Sequence, residues 1–245
     1  MDIPAEQEAV LIPKEYADAL MLDSVAQAFR DIRLRALQTD PTSFSSCFAT
    51  ESEQAHSFWT ERLQNPQAKT FALVHKASGV QHHQHSELTL LRPWLGILVL
   101  LGPKVVDIDA YDNGAPWKTV LTEQHAINEQ PQLLEMEASS VKIALAYQIV
   151  SVYVAAKFRG KGLAKKLMSS ALAAIEQDLK DKRFGKAICT VDVADGIWAA
   201  RKVYQRMGFV TVAEDHSTTD DGREFHASVM RKDVTFQATR DTSVV

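Results

Sequence analysis

Apolar residues recur along this chain in two distinct rhythms. From Tyr16 to Gln38, Ala17, Leu20, Met21, Ala28, Phe29, Ile32 and Ala36 fall at helical spacing, and Asp40-Pro41 stops the run. A second helix is expected from about Ser52, carrying Phe58, Trp59 and Leu63 until Asn65-Pro66. Thr70–His75 and Leu95–Leu101 are short apolar runs that read as strands. Beyond residue 140 the order is clearer. Strands are expected over Lys142–Val154, Ala187–Val193, Phe209–Ala213 and Glu224–Met230, the last two joined through Asp220-Asp221-Gly222. Helices are expected over Gly162–Leu179 and Ile197–Met207. Strands separated by helices are what parallel neighbours require, so the class is mixed α/β.

Two segments escape the pattern. The polar stretch Ser78–Arg92 holds His82-His83-Gln84-His85, but no carboxylate or cysteine spacing accompanies those histidines, so a surface loop is the better reading than a metal site. Residues 103–140 carry seven acidic against two basic side chains and are too long for an ordinary connection. A short helix over Val120–Ile127 fits inside them, and the last ten or so residues read as a mobile tail.

Composition narrows the class. The chain has 245 residues, between one and two domains' worth at ~150 residues each. With 46% apolar and 24% charged residues, it is neither low-complexity nor disordered. A formal charge of −4 gives no bulk reason to expect nucleic acid, and no apolar run approaches the ~20 residues of a membrane span. The first residues lack the basic start and apolar core of a signal peptide. Cys47 and Cys189 cannot form a disulfide framework and are too few for a structural zinc, so a cytoplasmic setting and no metal are expected. Neither cysteine has the microenvironment of a reactive thiol.

The most informative stretch runs from Val152 to Ala164: a strand (Val152, Tyr153, Val154), a loop with two glycines, and a helix start. Glycine lets backbone N–H groups approach a phosphate, and the unpaired amides and dipole of a first helical turn favour an anion. Lys157, Arg159, Lys161, Lys165 and Lys166 surround the turn, and no acidic residue follows until Glu176. A P-loop is excluded because Gly160-Lys161-Gly162-Leu163 lacks its Gly-Lys-Ser/Thr, and a dinucleotide fingerprint lacks its third glycine.

Arg159-Gly160-Lys161-Gly162-Leu163-Ala164 resembles the Arg-x-x-Gly-x-Gly/Ala signature of the GCN5-related N-acetyltransferase (GNAT) superfamily. Ala200-Arg201-Lys202-Val203-Tyr204-Gln205-Arg206-Met207-Gly208-Phe209 is similar to its second signature, and Ile32–Phe44 to the first-helix region of many microbial members. The resemblance spans roughly residues 25–75 and 90–231 and is strongest over 141–213. It implies an N-terminal extension over 1–24, a single acetyltransferase domain over 25–232 with an irregular insertion at 103–140, and a tail over 233–245. It also implies a mostly antiparallel mixed sheet, flanked by helices, with one splayed parallel pair.

The resemblance further implies that acetyl-CoA enters that splay. The backbone of Val152, Tyr153 and Val154 would pair with its pantetheine arm, and the amides of Arg159, Gly160, Lys161, Gly162, Leu163 and Ala164 would hold the pyrophosphate. Tyr204 would protonate the leaving thiolate, a task that suits a phenol of pKa ~10 facing a thiol of ~8.5. A backbone N–H near Val154 would stabilise the oxyanion. The acceptor would be a small-molecule or peptide amine, with no metal, nucleic acid or membrane involved, and the protein a monomer or homodimer.

Two positions depart from the family pattern. Ile197 stands where the second signature commonly has Asn, so that contact is lost or made by Asp195. Gln148 stands where several members carry a glutamate base, which leaves deprotonation to Glu123, Glu135, Glu137 or a water chain. The acidic insertion suggests a wall that attracts a cationic amine, although a solvated loop explains it equally. Phe44, Phe48 and Trp59 are either an apolar side of that site or core. A non-catalytic acyl-CoA-binding module remains the alternative, as does transfer of a longer acyl chain or to a hydroxyl.

Overall fold

The computed structural model describes residues 6–76, 90–112, 143–219 and 221–235. Strand β1 (Gln7–Leu11) leads into helix α1 (Ala19–Thr39), then α2 (Phe48–Ser52), α3 (His56–Gln64), β2 (Ala68–His75), β3 (Gly96–Asp107) and α4 (Ile108–Asp112). After the insertion come β4 (Ile143–Val154), α5 (Leu163–Lys182), β5 (Lys186–Ala194), α6 (Trp198–Arg206), β6 (Val210–Thr218) and β7 (Glu224–Thr235). The seven strands form one sheet in the order β1-β2-β3-β4-β5-β7-β6. Every neighbouring pair is antiparallel except β4 and β5, which run parallel.

Helices cover both faces, so the central strands are apolar on both sides of the pleat. On β2, Phe71 and Leu73 join the core beneath α5, where Leu167, Met168, Ile175 and Leu179 pack on Tyr147, Ile149, Cys189 and Val191. The alternate residues Ala72 and Val74 face α1 and α3, packing with Phe29, Ile32, Trp59 and Leu63. Burying each such large side chain contributes ~1.5–3 kcal/mol. Helix α1 begins where Asp18, in extended backbone, accepts a hydrogen bond from Met21 N at 2.8 Å, three residues later than the periodicity begins.

The structure departs from the sequence reading in several places. The helix expected from about Ser52 starts at His56 as α3, and a separate short helix, α2, precedes it. Part of the stretch read as an N-terminal extension is β1, which pairs with β2 from Gln7↔His75 to Leu11↔Phe71. The expected insertion does not begin at residue 103, because Lys104–Asp107 continue β3 and pair with Ala146–Ile143. Their ladder partner lies beyond the insertion, out of reach of a local pattern. Asp233–Thr235, assigned to the tail, are strand, paired with Ile188–Lys186. The His82–His85 tract, the Val120–Ile127 helix and residues 236–245 lie outside the described residues. Among the described residues no helix is long and apolar enough to cross a membrane.

Candidate active site

The parallel pairing of β4 with β5 starts at Leu145↔Ala187 and ends at Ile149↔Val191. Strand β4 nevertheless continues along β3, reaching Ile97↔Tyr153 and Gly96↔Val154. Between Val150 and Tyr153 the register shifts, so that Ser151 and Val152 stand opposite the single residue Leu98. Ser151 has φ 57°, a left-handed conformation that a non-glycine residue adopts at a cost of ~1–3 kcal/mol. Such a bulge bends its strand. The parallel pairing ends short of this point, and a cavity of about 820 Å³ opens beside the end of β4.

Val152, Tyr153 and Val154 form one wall of that cavity, and Gly160, Gly162, Leu163 and Ala164 another. Gly160 (φ 77°) and Gly162 (φ 73°) both adopt the left-handed region, and Gly162 is the N-cap residue of α5. A Cβ at either position would meet no protein atom within 4 Å, so each glycine leaves open space beside the backbone. No side chain caps α5 and its first turn holds no acidic residue. The first helical amide to find a carbonyl is Lys166 N, which donates to Gly162 O at 3.1 Å. Among the described residues, the amides of Gly160 to Ala164 meet no acceptor. This is a concave array of free donors at a helix N-terminus, suited to a phosphate.

The basic side chains around the turn divide their work. Arg159 donates from Nε to the Val154 carbonyl at 2.8 Å, pairs with Asp40, and lies 5.7 Å from the Tyr153 ring centroid. It ties the turn to the strand end and to the end of α1, and the Val154 carbonyl is thereby already engaged. The Lys161 ammonium lies over the ring of Phe158 at 5.8 Å; Phe158 lines the cavity and Lys161 does not.

Tyr204, on α6, lines the cavity together with the partly exposed Val203 and Met207. It is buried, with its ring 6.2 Å from that of Phe209. Burial first, and then the charge of Asp192, push its phenol above the ordinary value of 10.0. It therefore keeps its proton at neutral pH. Ile197 caps α6 without a side-chain bond and lines the cavity, whereas Asp195 does not.

A second cavity, of about 300 Å³, adjoins the first, and Ser43 and Phe44 line both. Gln148, Asp192, Thr70, Arg33 and Arg62 face it. Gln148 is fully buried and donates from Nε2 to Asp192 Oδ2 at 3.1 Å. Asp192 is the carboxylate that sequence reasoning missed. Its signal was present: Cys189, Val191 and Val193 alternate with Thr190 and Asp192, a polar face on an otherwise apolar strand.

Other candidates fall elsewhere. Trp59 is fully buried in the core against Phe29, and Phe48 lines neither cavity. Asp107 pairs with Ile143, at the end of β4 remote from Val154, so the described part of the acidic stretch stands away from the site. Glu123, Glu135 and Glu137 lie outside the described residues. Burial raises the pKa of the Cys189 thiol, and Cys47 is buried with its sulfur on Thr50. Among the described residues no three His, Cys, Asp or Glu side chains are grouped to hold a metal ion.

Residues 131–211 match the family described as acetyltransferase (GNAT) domain. The match is confined to that stretch, and the fold is that of GNAT proteins. Solved structures with this GNAT fold include Arabidopsis thaliana NAA60 in complex with acetyl-CoA, at 16% identity and a TM-score of 0.52, covering 94% of this chain and 99% of that one. A GNAT-family acetyltransferase from Streptococcus pneumoniae aligns at 11% identity and 0.53, covering 94% and 99%. The spermidine N-acetyltransferase of Vibrio cholerae, in complex with CoA and spermine, aligns at 11% and 0.51, covering 92% and 95%. No curated protein matches the chain. The matched stretch takes in the parallel pair, the glycine turn and the Tyr204 helix.

Proposed function

We propose that the protein is an acetyl-CoA-dependent N-acetyltransferase that acts on a primary amine by direct attack. The observation that carries this reading is the row of unpartnered amides from Gly160 to Ala164, set beside a cavity that Val152–Val154 and Tyr204 also line. A diphosphate supplies the acceptors those amides lack, and the open space beside Gly160 and Gly162 accommodates it. The binding of acetyl-CoA by NAA60 and of CoA by the spermidine enzyme supports the same ligand here.

The thioester brings an activated acyl group, and the chain's residues align and protonate. The amine nitrogen attacks the carbonyl carbon, the new C–N bond forms and the C–S bond breaks. Tyr204, protonated at neutral pH, gives its proton to the departing thiolate and regains one from solvent. The proton released by the amine passes to the Asp192 carboxylate, positioned by Gln148 Nε2, and then to water. Gln148 itself, an amide, accepts no proton. That substitution is what keeps a second reading in view, a non-catalytic acyl-CoA-binding module.

Calorimetric titration with CoA and a thiol-release assay with acetyl-CoA against an amine panel test both readings. Heat with CoA and thiol release with amines are expected. Heat without release across the panel favours the module, and no heat overturns both.

A further inference from the structure

The second cavity carries a charge pattern that acetyl transfer to a simple amine does not use. Arg33 of α1 and Arg62 of α3 share one carboxylate, that of Glu51, which stands behind them. Arg33 Nη2 donates to Glu51 Oε1 at 2.7 Å, and Arg62 Nη1 to Oε2 at 3.3 Å. Two guanidiniums against one carboxylate leave a positive charge uncompensated at the wall. Arg33 has engaged every guanidinium nitrogen, Nε and Nη2 on Glu51 and Nη1 on Ser151 Oγ at 3.4 Å. Arg62 has not: its guanidinium is held near the rings of Phe58 and Phe29, at 5.2 and 5.5 Å, with one contact to Glu51.

The rest of the wall offers acceptors. Gln148 Oε1 and Thr70 Oγ1 belong to side chains at most 1% exposed, face this cavity, and have no hydrogen-bond partner. Buried polar atoms without partners call for a ligand that brings one. Asp192 adds a carboxylate beside Gln148.

We infer that this cavity binds an amine that also bears a carboxylate, a molecule of amino-acid size, with its nitrogen at Gln148 Oε1 and Asp192 and its carboxylate on the free donors of Arg62. Arginine suits that end because its planar fork matches a carboxylate. Phe44, Val99, Leu101 and Phe225 supply apolar surface for a side chain. Only the fate of the amine rests on the acetyl-transfer reading; the binding does not.

The test is calorimetry on the full chain, with CoA present and absent, using glycine, L-leucine, L-phenylalanine and L-glutamate, each beside its carboxamide. At least one acid should bind about tenfold or more tightly than its amide, a margin of ~1.4 kcal/mol. Arg62→Met should remove that margin while leaving heat with CoA, which reports an intact fold. Should the variant fail to fold, the acid–amide comparison on the wild type decides alone. Equal binding of acid and amide, or a margin that survives Arg62→Met, overturns the inference. If CoA is bound and amines are acetylated without regard to the carboxylate, the inference falls and the acetyl-transfer reading stands. If an acid binds preferentially but no thiol is released, the reverse holds.

Discussion

Gln148 and Asp192 meet across the two parallel strands just where those strands stop pairing, with Nε2 of one 3.1 Å from Oδ2 of the other. Gln148 is level with Thr190, inside the paired stretch, and Asp192 is the first β5 residue past its end. The carboxylate therefore stands at the fork, close enough to Tyr204 for its charge to act on the phenol. An amide at position 148 orients this carboxylate without competing with it for a proton.

Asp192→Asn keeps the shape of the fork and removes its proton acceptor. We expect kcat to fall by ~10²-fold or more, the usual scale of general-base loss. The CoA dissociation constant should stay within about twofold, since Asp192 does not line the larger cavity. Steady-state kinetics beside calorimetry will check this; an unchanged kcat would remove Asp192 from the proposed chemistry.

Tyr204→Phe retains the buried ring and deletes the donor. A drop in kcat of ~10²-fold or more is expected, again with CoA binding preserved. Because burial and the Asp192 charge raise the phenol above its ordinary range, Tyr204 keeps its proton through neutral and mildly alkaline pH. The rate should accordingly show no fall between pH 7 and ~10 that Tyr204→Phe abolishes. A basic limb in that window that vanishes in the variant would contradict the assignment.

Gly162→Ala tests the cradle. The left-handed φ of 73° makes any side chain there costly by ~1–2 kcal/mol, so the melting temperature should drop by roughly 2–8 °C in a chain of this size. The new methyl group meets no protein atom and instead enters the space assigned to the diphosphate. Affinity for CoA should weaken by about tenfold or more, or ~1.4 kcal/mol. Loss of stability with unaltered CoA affinity would place the ligand elsewhere.

Glu51 lies buried between Arg33 and Arg62. Burial alone would raise its carboxyl, but the hydrogen bond and charge of Arg33, followed by the charge of Arg62, outweigh that and hold it below the usual glutamate range. A depressed pKa in the folded state means the stabilisation is complete above the ordinary value of ~4.3 and is lost as pH falls through the lower one. Glu51→Gln leaves two guanidiniums without their anion and should cost ~3–5 kcal/mol. Urea unfolding from pH 7 down to 3 should show the loss at neutrality and a flatter acid decline in the variant. A variant that tracks the wild type across that range would mean the pair contributes nothing.

The sequence by itself determined the second half of this protein. The strand before Val154, the glycine turn, the apolar face of α5 and the Tyr204 helix are contiguous segments, whose spacing and propensities act over a few residues and can be read there. The site's other wall was decided by tertiary structure alone. Gln148 meets Asp192 from 44 positions away, Arg33 meets Glu51 from 18, and Ser151 reaches Arg33 from 118. Strand β1 and the outer part of β3 likewise became strands through ladder partners distant in the chain. Alternation along β5 marks Asp192 as polar but does not name its partner, because a buried polar residue is satisfied by whatever the fold brings to it rather than by its neighbours in sequence.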